Sequence, residues 1–306
     1  MFTIRTTHMQ LHLDIVPVTD LRQHEQIIPQ KAEQLVFQLR NWALLHNPVI
    51  VDEKFTVIDG HHRAFCIEKL NFRYIPVCKI DYFSHAVKLR YWFRCIPRVR
   101  DTGRLKGFLQ ALNTTLQPVA DLVQLENVLE KNRLYLGVQH RDRFFFIAFP
   151  EEVAHDAVSA YHITNRLQNR LLHEGDQLEY IPCQSVLSGD CQNPIGKDDL
   201  ILWTPRISKK MVMDAVNRKK RFTPKATRHL IPARPLNVNL PMNWLKGDVP
   251  LEIINEKFFK FLSDKGLKRF PPGQIIEGRY YEEELFVFFN KRESLAGRKG
   301  EGLCVT

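Results

Sequence analysis

No stretch of this sequence approaches the roughly 18 uninterrupted apolar residues of a membrane-spanning helix. Its first residues, MFTIRTTHMQLHLDIVPV, lack both the apolar core and the small-residue cleavage site of a secretory signal, so the expected setting is the cytoplasm. Cysteine is sparse: Cys66, Cys78, Cys95, Cys183, Cys191 and Cys304 are the six in a chain of 306, with no CxxC pair. That excludes a dense disulfide framework and offers no zinc or redox motif, which leaves free buried thiols as the expectation. Internal repeats and low-complexity tracts are also missing.

What is present is ordinary for a folded chain: 44% hydrophobic and 25% charged residues, in a length that suits two domains. The net charge of +10 favours anionic partners. Charge alone does not separate a nucleotide from DNA or an acidic membrane.

Residues 1 to about 105 read as a compact α/β unit. LHLDIVPVTDL is an extended start, and residues 29–45 carry Ala32, Leu35, Val36, Leu39, Trp42 and Ala43 at helical spacing. PVIVDEKFTVIDG reads as two strands joined by a polar turn at Asp52 to Lys54, RAFCIEKLNF as a helix, and YIPVCKIDYF as a closing strand. Residues 106–245 restart the pattern as a second α/β domain. GFLQALNTTLQPVADLVQLENVLEKN is helical, RFFFIAF a fully buried strand, EEVAHDAVSAYHITNRLQNRLL an amphipathic helix, and LEYIPC and DLILWTP are strands. Residues 246–306 read as an appended tail, with FFKFLSDKGLKRF as helical material broken by Pro271-Pro272-Gly273.

The sharpest local feature is Val57-Ile58-Asp59-Gly60-His61-His62-Arg63. A strand that ends in a glycine turn and opens a helix leaves backbone N–H groups and the positive end of the helix dipole facing outward, which suits a phosphate. Arg63 adds a permanent charge with a planar donor fork, and the two histidines add further donors.

DGHHR after a strand resembles the phosphate-binding motif of the ParB-like superfamily, in the histidine-rich form of the free serine kinases. Two more segments resemble those kinases. Leu21-Arg22-Gln23-His24-Glu25-Gln26 is similar to the segment that carries their catalytic glutamate. Arg221-Phe222-Thr223-Pro224-Lys225-Ala226-Thr227-Arg228-His229-Leu230-Ile231-Pro232 is similar to their FSPKTTRHVLP segment. Asp81-Tyr82-Phe83 followed by Trp92 matches residues near their substrate. The resemblance spans about residues 12–245. Arg22 and Ala226 depart from the pattern, and residues 246–306 have no counterpart in it.

The resemblance implies a ParB-like nucleotide-binding domain with a second α/β domain and a site in the cleft between them. It also implies transfer of a phosphoryl group from ADP or ATP, with Mg²⁺, to free L-serine, for cysteine or siderophore-precursor biosynthesis. Glu25 would be the general base, and Asp59 would hold Mg²⁺ or orient the nucleophile. Gly60, His61, His62 and Arg63 would cradle nucleotide phosphates, while Trp92, Lys225, Thr227, Arg228 and His229 would line the substrate site. The direct metal ligands stay unassigned. The alternative is a ParB-like nucleotide- and DNA-binding regulator without kinase activity, although no helix-turn-helix follows the first domain. Two short matches are decoys. His140-Arg141-Asp142 lacks the leucine and asparagine of a protein-kinase catalytic loop, and GDCQNPIGK at 189–197 has the wrong glycine spacing for a P-loop.

Overall fold

Leu11, Leu13 and Ile15 alternate with more exposed neighbours, so Gln10–Pro17 forms a strand with one face buried. The computed structural model describes residues 1–100, 103–172, 175–182, 195–276 and 278–291. They form two compact units that are discontinuous along the chain. One comprises Met1–Gln23, Ile27–Lys88 and the described residues from His229 onward; the other comprises His24–Gln26 and the described residues of Leu89–Arg228. The expected consecutive boundaries at about 105 and 245 are therefore replaced by a chain that leaves the first unit and returns to it.

The first unit carries a five-stranded sheet in the order Phe2–Arg5, Gln10–Pro17, Tyr74–Lys79, Val49–Val51, Val57–Asp59. Tyr74–Lys79 runs parallel to Val49–Val51, and the other pairings are antiparallel. Helix Pro29–Asn41 starts with proline in its first turn, where a missing N–H costs nothing, and buries Ala32, Val36 and Leu39. Helix His61–Lys69 buries Ala64, Cys66 and Ile67. Cys66 and Cys78 here, and Cys95 in the second unit, are buried as expected, and burial pushes the Cys66 and Cys78 thiols up to about 11 and about 12. Cys183, Cys191 and Cys304 lie outside the described residues, as do most of 189–197 and the SLAGRKGEG end.

The segment after residue 245 is no appended tail. Helix Leu251–Ser263 turns Ile254, Phe258 and Leu262 inward, and Asn255 reaches the first sheet: its Nδ2 donates to the Ile15 carbonyl and its Oδ1 accepts from the Ile15 N–H, both at 2.8 Å. The helix stops before GLKRF, which is instead the strand Gly266–Phe270, paired antiparallel with Glu284–Phe289. Gly266 lies against the Phe289 ring, where any Cβ would collide. Glu284–Phe289 in turn pairs parallel with Ala233–Leu236. Asn255→Ala should destabilise the protein by about 1–3 kcal/mol, because it strips one strand residue of both backbone partners; a thermal melt reads this directly.

The second unit is a six-stranded, wholly antiparallel sheet in the order Glu179–Pro182, Trp92–Ile96, Leu200–Trp203, Leu136–His140, Arg143–Ile147, Gln117–Val119. In Leu200–Trp203 the side chains alternate between two apolar clusters: Leu200 and Leu202 join the one that includes Tyr161 and Leu167 of helix Ala157–Leu171, while Ile201 and Trp203 join Leu125 and Leu129 of helix Leu122–Lys131. Phe144 to Phe146 are only partly buried, a correction to the fully buried strand expected there. The long amphipathic segment is two helices, Glu151–Ala154 and Ala157–Leu171, because Asp156 caps the second by accepting from the Val158 N–H. His140-Arg141-Asp142 is confirmed as a decoy: Arg141 and Asp142 form a two-residue hairpin turn.

Candidate active site

In the first unit the strand Val57–Asp59 ends at Gly60, whose φ of +101° caps the helix His61–Lys69. A side chain there would be strained, and its Cβ would meet Arg63 Nη2 at 3.0 Å, so the turn calls for glycine. The first-turn N–H groups of such a helix have no intrahelical acceptors. His62 Nε2 accepts from the Ile28 N–H at 3.0 Å and so fixes the start of helix Pro29–Asn41. Arg63 is more committed than its place in the motif suggests. Its Nη1 donates to the Asn47 and Pro48 carbonyls at 2.7 and 3.1 Å, and its Nη2 lies 3.7 Å from Asp59.

Asp59 is the acidic centre of a cationic network. Its carboxylate, about a third exposed at 35%, accepts from Arg234 Nη1, while Arg234 Nε donates to Glu283 at 2.6 Å. Burial alone would push the Asp59 carboxyl up. The charges of Arg234, then Arg63, with Arg279 beyond them, outweigh it and hold the group far below the usual carboxylate range. Arg234, at 6% exposure in the strand Ala233–Leu236, was missed by sequence reasoning; its signal was a charge inside an apolar strand. With two guanidiniums on it, Asp59 does not suit direct ligation of Mg²⁺. Among the described residues no cluster of three or more His, Cys, Asp or Glu side chains could hold a metal.

In the second unit Glu25 is held by residues 200 positions away in the chain. The Phe222 N–H donates to the His24 carbonyl at 2.8 Å and the Gln26 N–H to the Phe222 carbonyl at 2.9 Å, which clamps the two segments together around Glu25. Pro224 follows, and Lys225 then takes a left-handed φ of +59°, uncommon for a side chain of its size. That kink aims three donors at one carboxylate. The Lys225 N–H reaches Oε1 at 2.6 Å, while the Thr227 hydroxyl and N–H reach Oε2 at 2.8 and 3.3 Å. Burial nonetheless dominates, and the Glu25 carboxyl is raised above its ordinary value with the Thr227 and Lys225 contacts opposing in part.

Trp92 belongs to the same unit. Its Nε1 donates to the Thr227 carbonyl at 3.1 Å, and its ring carries Lys225 Nζ at 4.9 Å and the Arg228 guanidinium at 5.4 Å. His229 falls in the first unit, where its Nε2 meets the Tyr82 hydroxyl at 2.9 Å. Of the DYF triplet, Asp81 accepts from the Phe83 and Ser84 N–H groups in a turn, Tyr82 is buried against His229, and Phe83 is exposed. Glu25, Trp92, Lys225, Thr227 and Arg228 are thus gathered in one unit, and Asp59 to Arg63 with His229 in the other. The basic run 218–221 is partly paired: Arg218 and Lys220 both bond Asp156, at 3.1 and 2.9 Å.

No protein-family model matches the chain. An ATP-dependent L-serine kinase of Staphylothermus marinus is 25% identical over 240 residues, covering 76% of this chain and 90% of that protein. The ADP-dependent L-serine kinase SerK of Thermococcus kodakarensis is 21% identical over 236 residues, covering 75% and 91%. Among solved structures, a free serine kinase in complex with AMP superposes with a TM-score of 0.62 at 20% identity, over 76% of this chain and 93% of that one. In sequence across three-quarters of its length, and in its mixed α/β fold, this chain is similar to the free serine kinases.

Proposed function

We propose that this protein phosphorylates free L-serine to O-phospho-L-serine with ATP or ADP as donor. The observation that carries the reading is Glu25: a half-buried carboxylate of raised proton affinity, gripped by the Lys225 and Thr227 donors, in a chain similar to L-serine kinases. In the reaction the serine Oγ forms a bond to the terminal phosphorus of the nucleotide, and the bond from that phosphorus to the bridging oxygen breaks. The shortened nucleotide leaves, and the hydroxyl proton passes to Glu25. A carboxylate has about four lone-pair sites, so the three donors on Glu25 leave room for that proton.

Gly60 and the first-turn N–H groups of His61, His62 and Arg63 are assigned to the nucleotide phosphates, where no Cβ at Gly60 obstructs approach. Arg63 acts there chiefly by fixing the Asn47-Pro48 carbonyls and Asp59. Lys225 and Arg228, spread over the Trp92 ring, together with Thr227 and His229, are assigned to the serine carboxylate and the phosphate in transfer. Mg²⁺ held by the nucleotide's own phosphates would supply charge neutralisation there. Among the described residues no helix is long and apolar enough to cross a membrane.

The deciding experiment incubates the purified protein with L-serine, Mg²⁺ and either nucleotide, and detects O-phosphoserine by mass spectrometry. Nucleotide consumption that depends on serine is expected. DNA binding that falls steeply with salt, with no phosphoserine formed, would replace the proposal with the regulator reading. Tyr82→Phe should raise the KM for serine several-fold and leave nucleotide affinity unchanged, because it removes the hydroxyl that orients His229 while keeping the buried ring.

A further inference from the structure

Arg94 lies in the strand Trp92–Ile96 with 0% of its surface exposed. Its acceptors are all neutral. Nη1 donates to Gln168 Oε1 and to Asn165 Oδ1 at 3.3 Å, Nη2 donates to Thr223 Oγ1 at 3.3 Å, and Nε has no acceptor among the described residues. A guanidinium desolvated so completely is strongly unfavourable unless a negative charge lies near. The carboxylate whose field it feels is Glu25.

The connectivity runs the same way. Thr223 follows Phe222, whose backbone bonds the residues on either side of Glu25, and the same segment delivers the Lys225 and Thr227 donors. Asn165 and Gln168 belong to helix Ala157–Leu171, so one planar fork ties the 222–227 segment to that helix. The Tyr161 and Tyr180 rings lie 5.9 and 5.8 Å from the guanidinium. We infer that Arg94 is a positioning residue for the phosphoryl transfer: its fork holds in place the segment that grips Glu25, and its buried charge favours the ionised form of that carboxylate. This rests on Glu25 being the general base.

The other titratable groups facing Glu25 are His24, whose Nε2 lies 3.2 Å from the Thr227 hydroxyl, Tyr161, Tyr180 and Lys225. Both tyrosines are pushed up by burial and stay neutral through the working range. The Lys225 ammonium lies against the Trp92 ring. Arg94 is thus the fixed, fully buried charge of the set.

The test is the pH profile of kcat/KM for the wild type, Arg94→Gln and Gln168→Glu, with Glu25→Gln as reference. A base must be ionised, so the rate falls as pH drops through its pKa, and losing a nearby cation raises that pKa. In Arg94→Gln the acid limb should move up by about one unit or more, with activity on the acid side falling about tenfold per unit and recovering toward alkaline pH. Nucleotide affinity, measured by calorimetry, should stay unchanged. Gln168→Glu keeps the side-chain shape and gives Arg94 a carboxylate to pair with. It should fold even where Arg94→Gln does not, and should move the limb in the same direction. An unmoved limb in either folded variant, or a loss equal at every pH, overturns the inference. Should Glu25→Gln keep wild-type turnover, the base assignment falls first and this inference with it.

Discussion

Glu25→Gln should lower turnover by roughly 10²–10⁴-fold, leave nucleotide affinity intact and raise the melting temperature. The first effect follows from removing the proton acceptor while keeping the shape of the side chain and one oxygen, which can serve the Thr227 donors at the Oε2 position at the loss of the Lys225 contact to Oε1. The second follows from placement, since the segment assigned to nucleotide phosphates is the turn and helix start at Gly60 to Arg63. The third follows from the direction of the Glu25 shift. Burial raises its folded-state pKa above the unfolded value, so folding opposes ionisation. That cost is absent below the unfolded carboxyl pKa, grows as pH rises toward the folded one, and is complete above it. The neutral amide removes it, and each kcal/mol recovered is worth about 2–4 °C in a protein of this size. Calorimetry and a phosphoserine assay on one preparation read all three. Wild-type turnover in the variant would remove Glu25 from the chemistry, and an unchanged or lower melting temperature would show that the half-buried carboxylate carries no net penalty.

The strand, turn and helix around Gly60 were legible because each signal there is local: the β-branched pair Val57-Ile58, a glycine where φ must be positive, and apolar spacing at Ala64 and Ile67. Glu25 was reachable only through the resemblance of its flanks. Nothing in residues 21–26 announces that a bridge to Phe222 and a left-handed Lys225 will surround the carboxylate with donors. The return of the chain to the first unit was hidden for a similar reason. Ala233–Leu236 and Glu284–Phe289 are short segments far apart in the chain, and their parallel pairing is a property of neither alone. Arg63 looked like a phosphate donor because the motif shows its charge and not the Asn47 and Pro48 carbonyls that bind it. Arg94 and Arg234 share one overlooked sign, an arginine within an otherwise apolar strand. Such a charge is kept only where a specific set of partners compensates its burial.

Arg234→Met should destabilise the protein by about 3 kcal/mol at neutral pH and weaken nucleotide binding at least tenfold. Removing one member of a buried ion pair costs about 3–5 kcal/mol because the partner is left uncompensated; the lower end applies here, since Asp59 keeps some contact with water. Glu283, 12% exposed, loses the same partner. The pH dependence separates this cause from a simple packing defect. Asp59 has a folded-state pKa far below its unfolded value, so its contribution is present above about pH 4, the unfolded carboxyl value, and is lost as pH falls toward the folded one. In the variant Asp59 keeps its burial without its chief cation, so its protonation no longer opposes folding. The stability gap between wild type and variant should therefore be widest at neutral pH and narrow below about pH 4, as urea titrations at pH 7 and pH 3.5 would record. A gap that stays constant over that range would mean Arg234 acts through packing alone. Weaker binding of ATP or ADP, in a variant folded at neutral pH, would tie the network to the phosphate cradle, because Asp59 and Arg63 flank the Gly60 turn and share Arg234 as their neighbour.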